Sequence, residues 1–135
     1  MITFAFPMPP TLNHYYGRKG NHSFIKADGK KFRAAVAEIV AAAGHPTITK
    51  RCAVFVAVYP KNRARQDIMN REKALSDAMT HAGVWEDDSL IDEYIIVRRP
   101  PIPGGMVRVV VTEIEEELHD PKDVEDRRLR LAAAV

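Results

Sequence analysis

The chain has 135 residues, 46% hydrophobic and 28% charged, which suits one soluble domain with a core that needs no disulfide staples. No apolar run approaches the ~20 residues that span a bilayer; MITFAFPMPP lacks the basic start of a secretory signal; and a lone cysteine, Cys52, excludes an internal disulfide and fits a reducing, cytoplasmic setting. The net charge of +2 hides a split, with 16 Lys and Arg against 10 Asp and Glu in residues 1–112 and 4 against 8 in residues 113–135, so a basic body compatible with a polyanionic partner, or simply well solvated, precedes an acidic tail.

Residues 2–6, ITFAF, alternate in hydrophobicity and predict a first strand, which PMPP stops because proline donates nothing to a ladder. TLNHYYGRKGNHS reads as a polar loop and FIK as a short strand. Asp28 is placed to cap a helix over about 29–43, whose apolar face is Phe32, Ala35, Val36, Ile39, Val40 and Ala43, with Gly44 and Pro46 ending it. CAVFVAVY, residues 52–59, is almost continuously apolar and predicts a central strand buried on both faces. A basic loop, KNRARQ, leads to a second helix over about 70–82, stopped by Gly83. DEYIIVRR and MVRVVVTEI predict two further strands joined by PPIPGG as a hairpin. From Glu115 the pattern turns polar, and Asp120-Pro121 can open a last helix. The order strand-helix-strand-helix-strand-strand predicts an α+β domain, a small mixed β-sheet covered by helices, over residues 1–114, followed by an acidic C-terminal tail, 115–135. There is no internal repeat and no second domain.

The chemistry concentrates in RQDIMNREKALSDAMTHAGVWEDDSLIDE, residues 65–93. Asp67 alone reads as a helix cap, and Asp87 and Asp88 alone as turn residues. If the chain after Gly83 doubles back along the helix, the three carboxylates meet, and they would need a shared cation. Oxygen donors suit Mg²⁺ or Mn²⁺. The five histidines, His14, His22, His45, His81 and His119, are scattered and offer no zinc set with Cys52. Lys61, Arg63, Arg65, Arg71 and Lys73 flank the acids; read plainly they balance charge, and read functionally they are a phosphate-binding rim around a metal site. Lys73, on the helix's first turns, could offset charge on a phosphoryl oxygen or leaving group. No P-loop or dinucleotide-binding glycine pattern competes with this.

With these residues in view, the chain resembles the RusA-type Holliday junction resolvases of bacteria and their prophages, over most of residues 2–114. PPTLNHYY matches the family's Pro-Pro-Ser/Thr-x-Asn-x-x-Tyr through Asn13 and Tyr16. The basic loop, Asp-x-Asp-Asn-x-x-Lys, helix and Gly-x-x-x-Asp-Asp pattern matches through Asp67, Asn70, Lys73, Gly83, Asp87 and Asp88, with Asp77 also in register. The resemblance implies a RusA-like fold and a homodimeric, Mg²⁺-dependent endonuclease that resolves four-way junction DNA by paired symmetrical nicks. It implies Asp67 and Asp88 as metal ligands with Asp87 beside them, and Lys73 as catalytic lysine. Asn13, Tyr16, Arg63, Arg65, Asn70 and Arg71 are expected to face DNA. Met69 departs from the pattern, standing where the family has its second acid, and Gln66 replaces a basic residue. A neutral, soft thioether is a poor Mg²⁺ ligand. Three outcomes follow: Glu72 or Asp87 fills the coordination sphere with water doing the rest, the protein binds junctions but cuts them slowly or not at all, or Met69 is peculiar to this version of the chain. Against both the nuclease and the junction binder stands a third reading, a small structural or interaction protein whose acids are caps and turns.

Overall fold

The computed structural model describes residues 1–114 and 120–135. Its centre is the continuous apolar strand, Cys52–Tyr59, in which Cys52 to Val58 are all buried. A strand with no polar edge or face must be flanked on both sides and covered above and below. The flanking strands are Ile91–Arg98, parallel to it, and Met106–Glu113, antiparallel to it, with Ile2–Pro7 outermost. In chain order the elements are β1 (Ile2–Pro7), α1 (Leu12–Tyr15), β2 (Tyr16–Lys19), β3 (His22–Ile25), α2 (Ala27–Ala42), β4 (Cys52–Tyr59), α3 (Met69–His81), β5 (Ile91–Arg98), β6 (Met106–Glu113) and α4 (Pro121–Ala133). The four-stranded sheet is ordered β1-β6-β4-β5, and β2 and β3 form a separate two-stranded ribbon. This is the α+β fold with a mixed sheet that the sequence predicts.

One face of the sheet, with Val54, Val56, Val109 and Val111, packs on Phe32, Val36 and Val40 of α2 and on Leu75, Ala78 and Met79 of α3. The other face, with Ala53, Phe55 and Val110, is covered by Leu131 of α4. α4 opens where Asp120 accepts the Lys122 N–H at 2.9 Å, with Pro121 on the first turn. It is fixed to β5 by Arg127 and Arg128, which share the Glu93 carboxylate at 2.7 and 3.1 Å. The start of the acidic tail, 115–119, lies outside the described residues. Cys52 is a free, buried thiol; burial, helped by the charges of Asp92 and Glu113, pushes its pKa up to about 11.

Three local expectations are corrected. β5 and β6 are not a hairpin, because β4 lies between them. Their connection crosses the end of β4 and bonds to it, through Arg99 N–H to the Val58 carbonyl and Ile102 N–H to the Pro60 carbonyl. Seven residues bridge two strand spacings of ~4.8 Å as easily as they turn a hairpin. Residues 11–23 are not a plain loop: they form α1 and the β2-β3 ribbon, turned at Gly20 with φ +61°. Asp28 is not the cap of α2, which starts two residues earlier, at Ala27 behind Lys26, and leaves Asp28 in the first turn, where it still faces the helix dipole. Gly29 is buried in that turn because α2 passes close to α1; a Cβ there would lie 2.7 Å from the Tyr15 carbonyl oxygen.

A polar cluster ties α1, α2 and α3 together. Fully buried Tyr15 donates its hydroxyl to Asp77 of α3. Arg33 of α2 donates to the Tyr15 oxygen at 2.8 Å and to Asp77 at 2.6 Å. Burial alone would raise the Asp77 pKa, but the hydrogen bonds from Tyr15 and Arg33, with the arginine's charge, outweigh it and hold the carboxyl below its ordinary value. A depressed carboxyl stabilises the fold above its unfolded pKa of about 3.9, and this contribution is lost as pH falls below that through the folded value. Asp77→Asn is therefore expected to lower stability at neutral pH and to flatten its fall below about pH 4, as urea titrations across the acid range would show.

Candidate active site

The sheet has two ends, and the crossover from β4 through α3 to β5 decides what lies at each. β4 ends at Tyr59, and the basic loop 60–68 carries the chain to α3, which runs back over the sheet. Asp67 opens that helix: its Oδ1 accepts the Met69 N–H at 2.9 Å, and its carbonyl accepts the Asn70 N–H at 3.2 Å. Capping and function are thus compatible, since the cap uses one oxygen of an exposed carboxylate. Met69 lies on the first turn, 59% exposed, and Lys73 follows four residues on along the same face, also exposed. Asn70 is half-buried beside them.

Two clefts flank loop 60–68. One, of about 540 Å³, lies between this loop and the proline-rich segment after β1, with Met8, Pro9 and Phe32 as its apolar floor and Lys31, Lys61 and Arg71 among its polar groups. The Arg71 guanidinium is half-buried and donates to the Pro9 carbonyl, which locks the PMPPTLN segment to α3; burial pulls its pKa below the ordinary value. The other cleft, of about 350 Å³, is bounded by Asn62, Arg63, Arg98 and Arg99. Arg98 donates to the Gln66 carbonyl, so the last residue of β5 reaches the loop next to Asp67. Arg63 and Arg65 are exposed. Of the N-terminal motif, Asn13 is exposed and its carbonyl accepts from Lys26 at 2.6 Å. Tyr16 is half-buried, its ring edge-on to Tyr15 with centroids 4.6 Å apart.

Asp87 and Asp88 are at the other end. After α3, Gly83 takes φ +78° to stop the helix, and Trp85 is buried with its indole N–H on Thr80 at 2.8 Å. The Glu86 N–H bonds to the Ile48 carbonyl at 2.9 Å, ahead of the start of β4. Asp88 then opens a short 3₁₀ turn, and Ile91 pairs with Cys52, the first residue of β4. Asp87 accepts the Ser89 hydroxyl at 2.6 Å, which holds its pKa below the ordinary value. The chain does not double back to bring these acids to Asp67. Within one chain they are separated by the length of α3, thirteen residues, or roughly 20 Å at ~1.5 Å per residue. Among the described residues, no three His, Cys, Asp or Glu side chains gather closely enough to hold a metal ion. The donors at Asp67 are of the right chemistry for Mg²⁺ but too few in a single copy.

The sequence reading left out Lys31, Arg98 and Arg99. The missed signal was topological: a parallel β4-α3-β5 unit brings the carboxyl ends of both strands, and their loops, to the same side. A helix-capping carboxylate on a loop flanked by clefts that Lys and Arg side chains line, with Asp28 also in the larger one, is chemistry suited to a phosphodiester backbone.

Residues 7–114 match the family described as Endodeoxyribonuclease RusA. The chain is 34% identical over 113 residues to the crossover junction endodeoxyribonuclease rusA of Enterobacteria phage HK97, covering 83% of this chain and 94% of that one. It is 31% identical over 116 residues to the RusA protein of the same description from Escherichia coli O139:H28, covering 85% and 97%. With Enterobacteria phage 82 the figures are 31% over 114 residues, 84% and 95%. The chain belongs to the RusA family. No helix among the described residues is long and apolar enough to cross a membrane.

The two clefts predict a simple electrostatic result. Lys31→Ala with Lys61→Ala, and separately Arg98→Ala, should weaken binding to DNA across sequences and lower the salt slope by about 0.9 for each duplex phosphate left without its cation. Gel shifts at several salt concentrations measure this; an unchanged slope would remove the clefts from the interface.

Proposed function

We propose that this protein is a Holliday junction resolvase, a Mg²⁺-dependent endodeoxyribonuclease acting as a homodimer on four-way junction DNA and nicking two symmetry-related strands. The observation that carries this reading is Asp67 capping the start of α3 on a loop that two clefts flank, with Lys73 exposed on the same helix, in a chain whose relatives are named for cutting crossover junctions. The cytoplasm, with its reduced thiols, suits the free Cys52.

In this reading the separation of Asp67 from Asp88 has a consequence. A site that uses both must draw them from two copies, Asp67 and Lys73 from one and Asp88, with Asp87 near it, from the other. A two-fold dimer then contains two equivalent sites, as two equivalent cuts require. The bound Mg²⁺ would activate a water molecule and offset charge on the phosphoryl oxygens. Lys73 donates a hydrogen bond to a phosphoryl or leaving-group oxygen. Lys31, Lys61, Arg63, Arg71, Arg98 and Arg99 hold the flanking phosphates, while Asn13, Asn70, Arg65 and Tyr16 contact the strand near the cut. Met69 favours a second reading, a junction-binding protein that cuts weakly, because a thioether stands at an acidic position of the family motif.

Subunit mixing tests the shared site. Asp67→Asn and Asp88→Asn should each abolish cleavage of a synthetic four-way junction. Mixed and refolded together, they should regain nicking of single strands without paired cuts, because each heterodimer contains one site with both acids intact. A mixture as inactive as its parents would exclude a site shared between copies. Wild-type protein that binds the junction tightly but leaves it uncut in Mg²⁺ and in Mn²⁺ would establish the second reading.

A further inference from the structure

We propose that β5 pairs with β5 of a second copy of the chain, antiparallel about a two-fold axis, so that the two sheets join edge to edge and the Asp88 end of one copy lies beside the Asp67 loop of the other. This rests on the homodimeric reading above and deepens it by naming the surface that the copies share. β5 ends the sheet, with β4 on one side and no described strand on the other. An open edge presents backbone donors and acceptors to any strand that meets it, and proteins that keep such an edge to themselves blunt it with lysine or proline. IDEYIIVR contains neither. A bulge at Asp92 disturbs the start of the strand, but residues 93–98 follow β4 in regular register. Its apolar middle, Tyr94, Ile95, Ile96 and Val97, stays only half-buried within one chain. The opposite edge differs: β1 ends at Pro7, and its exposed residues Thr3 and Ala5 are small.

The strand is also self-complementary in charge. Glu86, Asp87 and Asp88 precede it, all exposed, and Arg98 and Arg99 close it. Asp92 and Glu93 are held by Arg51, Arg127 and Arg128 within the chain, so the complementarity rests on the outer residues. Antiparallel pairing sets the acidic end of each copy against the basic end of the other, whereas parallel pairing would set like against like. The lengths match as well. Residues 93–98 span about 20 Å at ~3.4 Å per residue, and α3, which separates Asp67 from Asp88 within a copy, spans about as much at ~1.5 Å per residue. Reversing the strand therefore cancels that separation. Arg98 donates to the Gln66 carbonyl, so the end of β5 is already tied to the loop next to Asp67. A two-fold axis that pairs edges antiparallel stands normal to the sheet. The helices α2 and α3 of both copies then cover one face and α4 of both covers the other, which puts both copies' Asp67 loops on the same side of the dimer.

Hydrogen exchange of the full-length protein, read by mass spectrometry, tests this without a variant. As concentration rises through the monomer–dimer midpoint found by sedimentation, the amides of residues 91–98 should slow roughly tenfold or more, while those of β1 keep their rate. Val97→Lys should raise the dimer dissociation constant roughly tenfold or more, because the axis brings two new cations near each other on the shared edge. Thr3→Lys on β1 should leave that constant unchanged. The exchange result stands by itself if Val97→Lys does not fold. A dimer whose exchange slows along β1 or α4 and not along β5 overturns the pairing and leaves the homodimeric nuclease standing. A chain that stays monomeric at every concentration overturns the pairing too, and whether it still nicks the four-way junction decides the nuclease reading separately.

Discussion

The fold is governed by the burial of β4. A strand apolar along its length is stable only with a neighbour on each edge and a cover on each face. Both edges are filled, by β5 and β6, and both faces are covered, by α2 and α3 on one side and α4 on the other. Once β5 is parallel to β4, the chain must travel the length of the sheet between them, and α3 is that passage. The sites of the two acidic clusters follow from this alone: Asp67 belongs to the outgoing loop, and Asp88 to the return at the opposite end. A requirement of packing thereby becomes a requirement for a second copy of the chain in any site that uses both.

The first turn of α3 combines roles that sequence reasoning treats as rivals. Asp67 stabilises the helix by accepting the Met69 N–H, and the positive end of the helix dipole favours the same negative charge. Those effects hold the carboxylate in a fixed place at the end of a loop that two clefts flank. A residue placed this way needs no separate scaffold to be functional. The opposite holds for Asp77, which lies in register with the family motif yet is committed to Tyr15 and Arg33. Its task is to bind α3 to α1 and α2, while Arg71 of α3 holds the Pro9 end of the N-terminal segment against the loop that leads to Asp67.

Much of this was legible in the sequence. The strands ITFAF and CAVFVAVY, the helix ended by Gly44 and the helix ended by Gly83 all lie where hydrophobic period and glycine punctuation put them. What periodicity could not supply was pairing. PPIPGG is as suitable for crossing over β4 as for turning a hairpin, so the neighbour of β6 was misread. The two-residue turn at Gly20 was missed because its ribbon is short and polar, with little alternation to reveal it. The same limit applied to the site. Motif spacing selects the chemically relevant residues, but spacing along a chain does not measure distance in space, and the acids were expected to converge. Arg98 escaped notice for the converse reason, being 31 residues from Asp67 in sequence and next to its loop in the fold.

The edge strand β5 concentrates the connections between these parts. Because side chains alternate along a strand, Tyr94 and Arg98 face α3 and its loop, while Glu93 faces α4. The family match ends at Ile114, so α4 lies beyond it; yet Leu131 is fully buried and Arg127 nearly so. Part of what the sequence presents as an acidic tail is thus a structural layer. Two of its four cations are spent on Glu93, and residues 120–135 contain as many Lys and Arg as Asp and Glu. The excess negative charge lies before the helix, at Glu113 and Glu115 to Glu117. The negative excess of the tail therefore belongs to a short acidic stretch of sequence, not to the whole C-terminal region, and removing that region would uncover Phe55 and Val110 as well as remove charge. Charge-neutral substitution of Glu115 to Glu117 is the change that separates electrostatics from packing.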